Sequence, residues 1–121
     1  MSKTGSVYVY RYDYVAPVMK LMGLKACHVA EMIPLFDLKA KPYGTFTIGA
    51  GRTMKKIDTG MRRYWGAFAK YGAPDVPGLP EWKPYNERDR FTMVLDKEPR
   101  LVSDADARVR TRFDGIDRIL I

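Results

Sequence analysis

The sequence is poor in the residues that build reactive or cross-linked sites. It holds one cysteine and one histidine in 121 residues, Cys27 and His28. A lone cysteine excludes an internal disulfide, and one Cys with one His leaves no cluster of soft ligands for a metal. Sequence neighbours generally point apart, so Cys27 and His28 do not form a nucleophilic dyad, and Cys27 reads as an inert, buried thiol. Serine is scarce as well, with only Ser2, Ser6 and Ser103. None lies in a Gly-x-Ser-x-Gly nucleophile elbow, and Gly49-Ala50-Gly51 is too short for an oxyanion-hole glycine run. No apolar run approaches the ~18 residues of a membrane-spanning helix. Residues 1–6 lack the apolar stretch of a secretory signal, which favours a cytoplasmic over a secreted protein. There is no internal repeat and no low-complexity tract.

What remains is an ordinary globular composition, 46% hydrophobic and 29% charged, at the length of one small domain. The net charge is +7, from 21 Lys and Arg against 14 Asp and Glu. That excess invites a nucleic-acid reading. The basic residues are scattered among acids, however, as in residues 104–112, so a solvated mixed-charge surface is the better account. No specific nucleic-acid or membrane partner is expected.

Residues 7–14 read as a strand rich in β-branched and aromatic side chains. Tyr8, Tyr10, Tyr12 and Tyr14 share one face, and Val7, Val9, Arg11 and Asp13 the other. Neither face is plainly polar at the start, which predicts a strand covered on both sides. Residues 18–24 read as a loop or short turn. Residues 26–36 carry a brief helical pattern that Pro34 interrupts. Residues 39–52, with Pro42, Gly44, Gly49 and Gly51, read as loop. The clearest helix is 53–71, where Ile57, Met61, Tyr64, Trp65 and Phe68 make one apolar stripe, best assigned to the core. Thr53 is placed to cap it, and Gly72 with Pro74 to stop it. Gly60 and Gly66 each weaken it by ~1 kcal/mol relative to Ala unless a neighbour packs closely there. Four prolines between 73 and 85 predict an extended loop anchored by Trp82. Residues 92–96 and 100–103 predict a hairpin within 91–103, and Ser103 with Asp106 resembles a capping box opening a terminal helix over 104–120.

Two residues invite a chemical role. His28 is first, because imidazole titrates near neutral pH and suits a general base. A lone histidine is more often a plain surface or core residue, and this one has no nucleophile beside it. Glu31, three residues on, is the second.

Their context sharpens the choice. His28-Val29-Ala30-Glu31 followed by Leu35-Phe36 resembles the histidine-loop pattern His-x-x-Glu of carboxylesterases of type B, the family of bacterial para-nitrobenzyl esterases and cholinesterases. Residues 7–14 are similar to the family's Tyr-x-Tyr-x-Phe-Asp strand. Tyr64-Trp65, Phe68-Ala69, Gly72 and Pro74 are similar to its Tyr-Trp-x-x-Phe-Ala-x-x-Gly-x-Pro helix and stop. Trp82 to Tyr85, Arg90 to Asp96 and the last helix follow in order, so the resemblance covers residues 7 to about 113. The chain departs from many members in having Val29 after the histidine and Pro34 before Leu35-Phe36.

The resemblance implies an α/β fold, with residues 1–121 forming a single C-terminal segment of an α/β-hydrolase domain. Its parts would be a sheet strand at 7–14, a catalytic-histidine loop at 23–36, the helix 53–71, the strand pair 91–103 and the helix 104–120. It implies that His28 is the triad histidine of a serine carboxylesterase acting on small carboxylic esters through an acyl-enzyme, with no metal or organic cofactor. The nucleophilic serine, the triad acid and the oxyanion hole would come from an upstream segment or chain. In the family the acid lies between the serine and the histidine, so Glu31 is expected to be a structural carboxylate or one that supports the site from behind, and Asp13 and Asp37 to be structural. The chain alone is expected to be inactive, and its unpaired strand edges would favour a homo-oligomer or aggregation. The alternative is a catalytically inactive, hydrolase-derived binding module with a basic surface.

Overall fold

The computed structural model describes residues 5–26, 30–36, 38 and 43–113. Three strands, β1 (Val9–Tyr12), β2 (Phe91–Leu95) and β3 (Arg100–Ser103), form one sheet in the order β1-β2-β3. β1 and β2 are parallel, with Val9 opposite Thr92 and Tyr12 opposite Leu95. β2 and β3 are an antiparallel hairpin, with Phe91 opposite Ser103. Parallel neighbours need a long crossover. Here it contains α1 (Pro17–Leu21), α2 (Met32–Leu35), a 3-10 turn (Tyr43–Thr47) and α3 (Gly51–Tyr71). α4 (Ala107–Phe113) follows β3.

β2 is the strand buried on both faces: Met93 and Val94 are 0% exposed, and Thr92 and Leu95 are also buried. On one face Met93 and Leu95 join the core made by Met54, Ile57, Met61 and Tyr64 of α3, together with Tyr14, Met19 and Trp82. Across the other face lies the segment leading into α4. There Arg11 bridges back to Asp106 Oδ1 at 2.6 Å and to the Ala105 carbonyl at 3.0 Å.

Several expectations change in the structure. β1 is shorter than 7–14 and is not covered on both sides, since Tyr10 is 38% exposed. The reason is its place at the sheet's edge. Ladder-like bonds do extend past both its ends, with Tyr85 N–H donating to the Val7 carbonyl and Asp13 N–H to that of Leu95. Residues expected to be loop form α1, opened by Pro17 in its first turn, where the missing N–H costs nothing. Pro34 does not break the brief helix after Glu31 but sits inside its single turn, where no intrahelical N–H bond is due.

α3 starts at Gly51 rather than Thr53. Its N-cap is Ala50, with no side-chain cap, and Thr53 lies inside the first turn. Gly72, at φ +77°, closes it through an N–H bond to the Phe68 carbonyl. Gly60 and Gly66 have no close neighbour, because a Cβ at either meets nothing within 4 Å. The capping box does not form. Ser103 is the last residue of β3, and its hydroxyl donates to the Asp89 carbonyl, while the Asp106 carboxylate is taken by Arg11. Of the helix expected over 104–120, residues 107–113 are helical and those from 114 lie outside the described residues.

Two measurements follow from this packing. Gly66→Ala should raise stability by about 1 kcal/mol in urea denaturation, because it adds helix propensity without a clash. Tyr64 is fully buried and its hydroxyl donates to the Pro80 carbonyl at 2.7 Å. Burial pushes its phenol from the usual 10 up to about 12. Between those values the unfolded chain releases this proton and the folded chain keeps it, so stability is complete below pH 10 and falls as pH rises toward 12. Tyr64→Phe should flatten that alkaline fall in melts taken at stepped pH.

Candidate functional site

The two parallel strands end together at Tyr12 and Leu95, and the chain leaving β1 at that end runs into α1 and the histidine segment. Carboxyl ends of parallel strands are where α/β proteins place their sites. α1 stops in a paired cap. Gly23 N–H donates to the Lys20 carbonyl at 3.0 Å and Leu24 N–H to that of Met19 at 2.9 Å, with Gly23 at φ +73°. This left-handed turn needs glycine and ends α1.

His28, with Cys27, lies outside the described residues, as does Asp37. The structure describes the chain up to Ala26 and again from Ala30. Beyond the gap the segment is pinned: Ala30 and Ile33 are buried, Leu35 packs against the core, and α2 lies against α3.

Glu31 is the N-cap of α2 and makes no side-chain cap bond. It is half-buried and stands within electrostatic reach of the β1 tyrosines. Burial raises the Tyr12 phenol above its usual value, and the negative charges of Glu31 and Asp96 add to that. Tyr10 is raised by burial and then by Glu31, and Tyr14 by burial and then by Asp96. This end of the sheet therefore combines neutral phenols with carboxylates.

Asp13 is held otherwise. Arg11 grips it with two bonds of 2.7 and 2.8 Å while also reaching Asp106, which makes Asp13 a structural counter-ion. Nearby, an Arg110 hydrogen bond keeps the Asp104 carboxyl below the usual range. Among the described residues no group of three His, Cys, Asp or Glu side chains is placed to hold a metal, and no helix is long and apolar enough to cross a membrane.

A second feature escaped the sequence. Tyr8, just before β1, Tyr10 of β1, Trp65 and Phe68 of α3, and Trp82 line an aromatic cleft of about 170 Å³. Its rings meet edge to face: Tyr10 and Trp65 are 5.0 Å apart, and Tyr64 and Trp82 5.2 Å. The helical stripe alone predicted core. Only the strand's edge position leaves Tyr10 and Phe68 open. The alternation of Tyr8, Tyr10, Tyr12 and Tyr14 is the sequence signal for it, but alternation alone does not tell an open face from a buried one.

A parallel strand pair joined by a helical crossover, with a closing hairpin, is the arrangement of the C-terminal part of an α/β-hydrolase fold. The carboxylesterase family model matches residues 1–113, and the chain belongs to that family. It is 24% identical over 89 residues to carboxylesterase 1D of Mus musculus, a match covering 74% of this chain and 15% of the relative. It is 29% identical over 99 residues to the acetylcholinesterase of Gallus gallus, covering 78% of this chain and 12% of that one. Among solved structures it superposes on a thermophilic PNB esterase with a TM-score of 0.73 at 23% identity. It superposes on a Geobacillus stearothermophilus carboxylesterase with a TM-score of 0.70 at 29% identity. Each superposition covers 88% of this chain and 22% and 21% of the neighbour, respectively. The chain thus spans about a fifth of its structural neighbours and less of its curated relatives.

Glu31→Gln should lower the pH at which the Tyr12 and Tyr10 rings titrate, because it removes a negative charge that opposes phenolate formation. Ring-carbon NMR of labelled tyrosine over alkaline pH checks this; unmoved midpoints would place Glu31 away from both rings.

Proposed function

We propose that this chain is the histidine-bearing portion of a serine carboxylesterase and that His28 is its general base. One observation supports the reading: a family match over residues 1–113 that includes the His28-x-x-Glu31 pattern. The serine, its acid partner and the oxyanion hole are supplied by an upstream segment or chain. His28 takes the serine proton as the oxygen attacks the ester carbonyl, and returns it to the departing alcohol. Water then attacks the acyl-enzyme carbonyl with His28 again as base, releasing the acid and restoring the serine. Glu31 is a structural carboxylate on this reading, its charge opposing ionisation of the Tyr10 and Tyr12 phenols. The substrate class is a small carboxylic ester.

The rival reading, a binding module without catalysis, draws support from an open basic groove on α3 lined by Arg52, Lys55, Lys56 and Arg63. Two of those groups already serve the fold: Lys56 pairs with Glu98, and Arg63 donates to the Pro77 carbonyl at 2.8 Å.

The test is co-expression with the polypeptide encoded immediately upstream, followed by assay on a chromogenic short-chain ester. This chain alone should be inactive and the pair active. His28→Ala should lower kcat by at least about a thousandfold, in line with loss of a triad member. An active pair indifferent to His28→Ala would sink the assignment. Steeply salt-dependent binding to polyanions with no hydrolysis would favour the binding module.

A further inference from the structure

The face of α3 turned away from the core is built against the helix's own stability. Arg52, Lys55 and Lys56 stand within its first two turns, where the helix dipole disfavours cations, and the first turn holds no acidic residue. Arg52 precedes the two lysines by helical spacings at which like charges repel. Among the described residues no carboxylate pairs with Arg52, Lys55 or Arg63. Gly60, in the middle of the same helix, weakens it further. Nothing packs there in return, because a Cβ at Gly60 meets no atom within 4 Å.

These unfavourable features fall in one place. Arg52, Lys55, Lys56 and Arg63 line a groove of about 420 Å³, with Gly60 on the helix side and Leu79 on the loop. Lys56 and Arg63 flank the bare backbone of Gly60 on one helix face. Both are held: Glu98 takes the Lys56 ammonium, and Arg63 Nη2 donates to the Pro77 carbonyl at 2.8 Å. A guanidinium bonded to a carbonyl keeps its charge and has further donors to give. A smaller cavity of about 40 Å³ shares Lys56, Gly60 and Leu79 with the groove and continues it between Ile57, Met61 and Leu95. Asp96 and Lys97, one charge of each sign, also border that cavity. Glycine is the residue that lets a ligand come close to backbone.

We propose that this groove binds a small carboxylate carrying a short apolar tail. The carboxylate lies between Lys56 and Arg63, with Lys55 and Arg52 adding positive charge, and the tail enters the cavity over Gly60. The head group is a carboxylate on two grounds. The chain already seats one on this rim, Glu98 on Lys56, and the planar fork of Arg63 matches carboxylate geometry. The groove has the volume of a small-molecule site. The site stands on α3 and the Leu79 loop, and it holds whether or not His28 is a catalytic base.

The experiment is a saturation-transfer NMR titration of the full chain, which reads monomer and oligomer alike, beside a thermal melt of each variant. The probes are sodium acetate, sodium butyrate, n-butanol and inorganic phosphate at constant ionic strength. Butyrate should bind saturably with a Kd on the order of 1 mM. It should bind about tenfold tighter than acetate, because it buries two more methylenes. Gly60→Ala should raise the melting temperature yet weaken butyrate binding at least about fivefold, whereas Gly66→Ala should raise it and leave binding unchanged. Arg63→Gln should weaken binding at least about tenfold. Arg88→Gln, which removes the same charge from an exposed site elsewhere, should not. Butyrate binding indifferent to both Gly60→Ala and Arg63→Gln overturns the site, as does no saturable binding up to ~100 mM. Butanol binding as tightly as butyrate reduces it to an apolar pocket and overturns the anionic assignment. Phosphate displacing butyrate as well as acetate does, with acetate and butyrate equal, reveals an unspecific cationic patch and overturns it too. Polyanion binding lost in Arg63→Gln, with no butyrate binding, gives the groove to the binding-module reading and overturns the small-carboxylate site.

Discussion

Burial of β2 on both faces is the constraint from which the other elements take their places. With Met93 and Val94 wholly out of solvent, each face of the strand needs a cover. α3 supplies one, through Met61 and Tyr64, and the segment from Asp104 to α4 supplies the other, tied down by Arg11. The parallel partner on one side and the antiparallel one on the other satisfy its backbone. Because a parallel neighbour requires a crossover, the long stretch between β1 and β2 is obliged to pack across the sheet, and the histidine segment travels with it.

β1 answers a different demand. Its odd-numbered residues serve β2 and the arginine network, while its even-numbered tyrosines face α3 and the open edge. One strand thus closes the core on one side and leaves an aromatic margin on the other. Trp82 ties that margin to α3, meeting Tyr8 and Tyr10 edge to face and Trp65 at a tilt.

The charges around β1 fall into separate sets. Arg11, Asp13 and Asp106 form a closed bridge, and Asp104 with Arg110 forms another beside it. Glu31 and Asp96 instead act on the tyrosine phenols near the carboxyl ends of the strands. On the described sides of residues 27–29 stand a glycine-dependent turn at Gly23 and the short helix α2, packed against α3.

The sequence by itself determined the family, the hairpin and the long helix, because these rest on local signals: periodic apolar residues, turn residues and ordered short motifs. It also marked His28 and Glu31 as the residues to weigh, and excluded a self-contained serine triad by the lack of any nucleophile elbow. Tertiary structure decided the rest. Whether the tyrosine strand is central or marginal depends on what pairs with it, which alternation cannot show. Ser103 and Asp106 carry capping-box spacing, yet Asp89 and Arg11 compete for them more strongly from across the fold. Thr53 likewise is no cap, because α3 begins two residues earlier, at Gly51. α1 was hidden in a stretch too short for periodicity to register, since its helix is held by packing of Met19 and by its cap rather than by propensity. Local chemistry writes itself into neighbouring residues; edges, clefts and long-range partners exist only once the chain has folded back on itself.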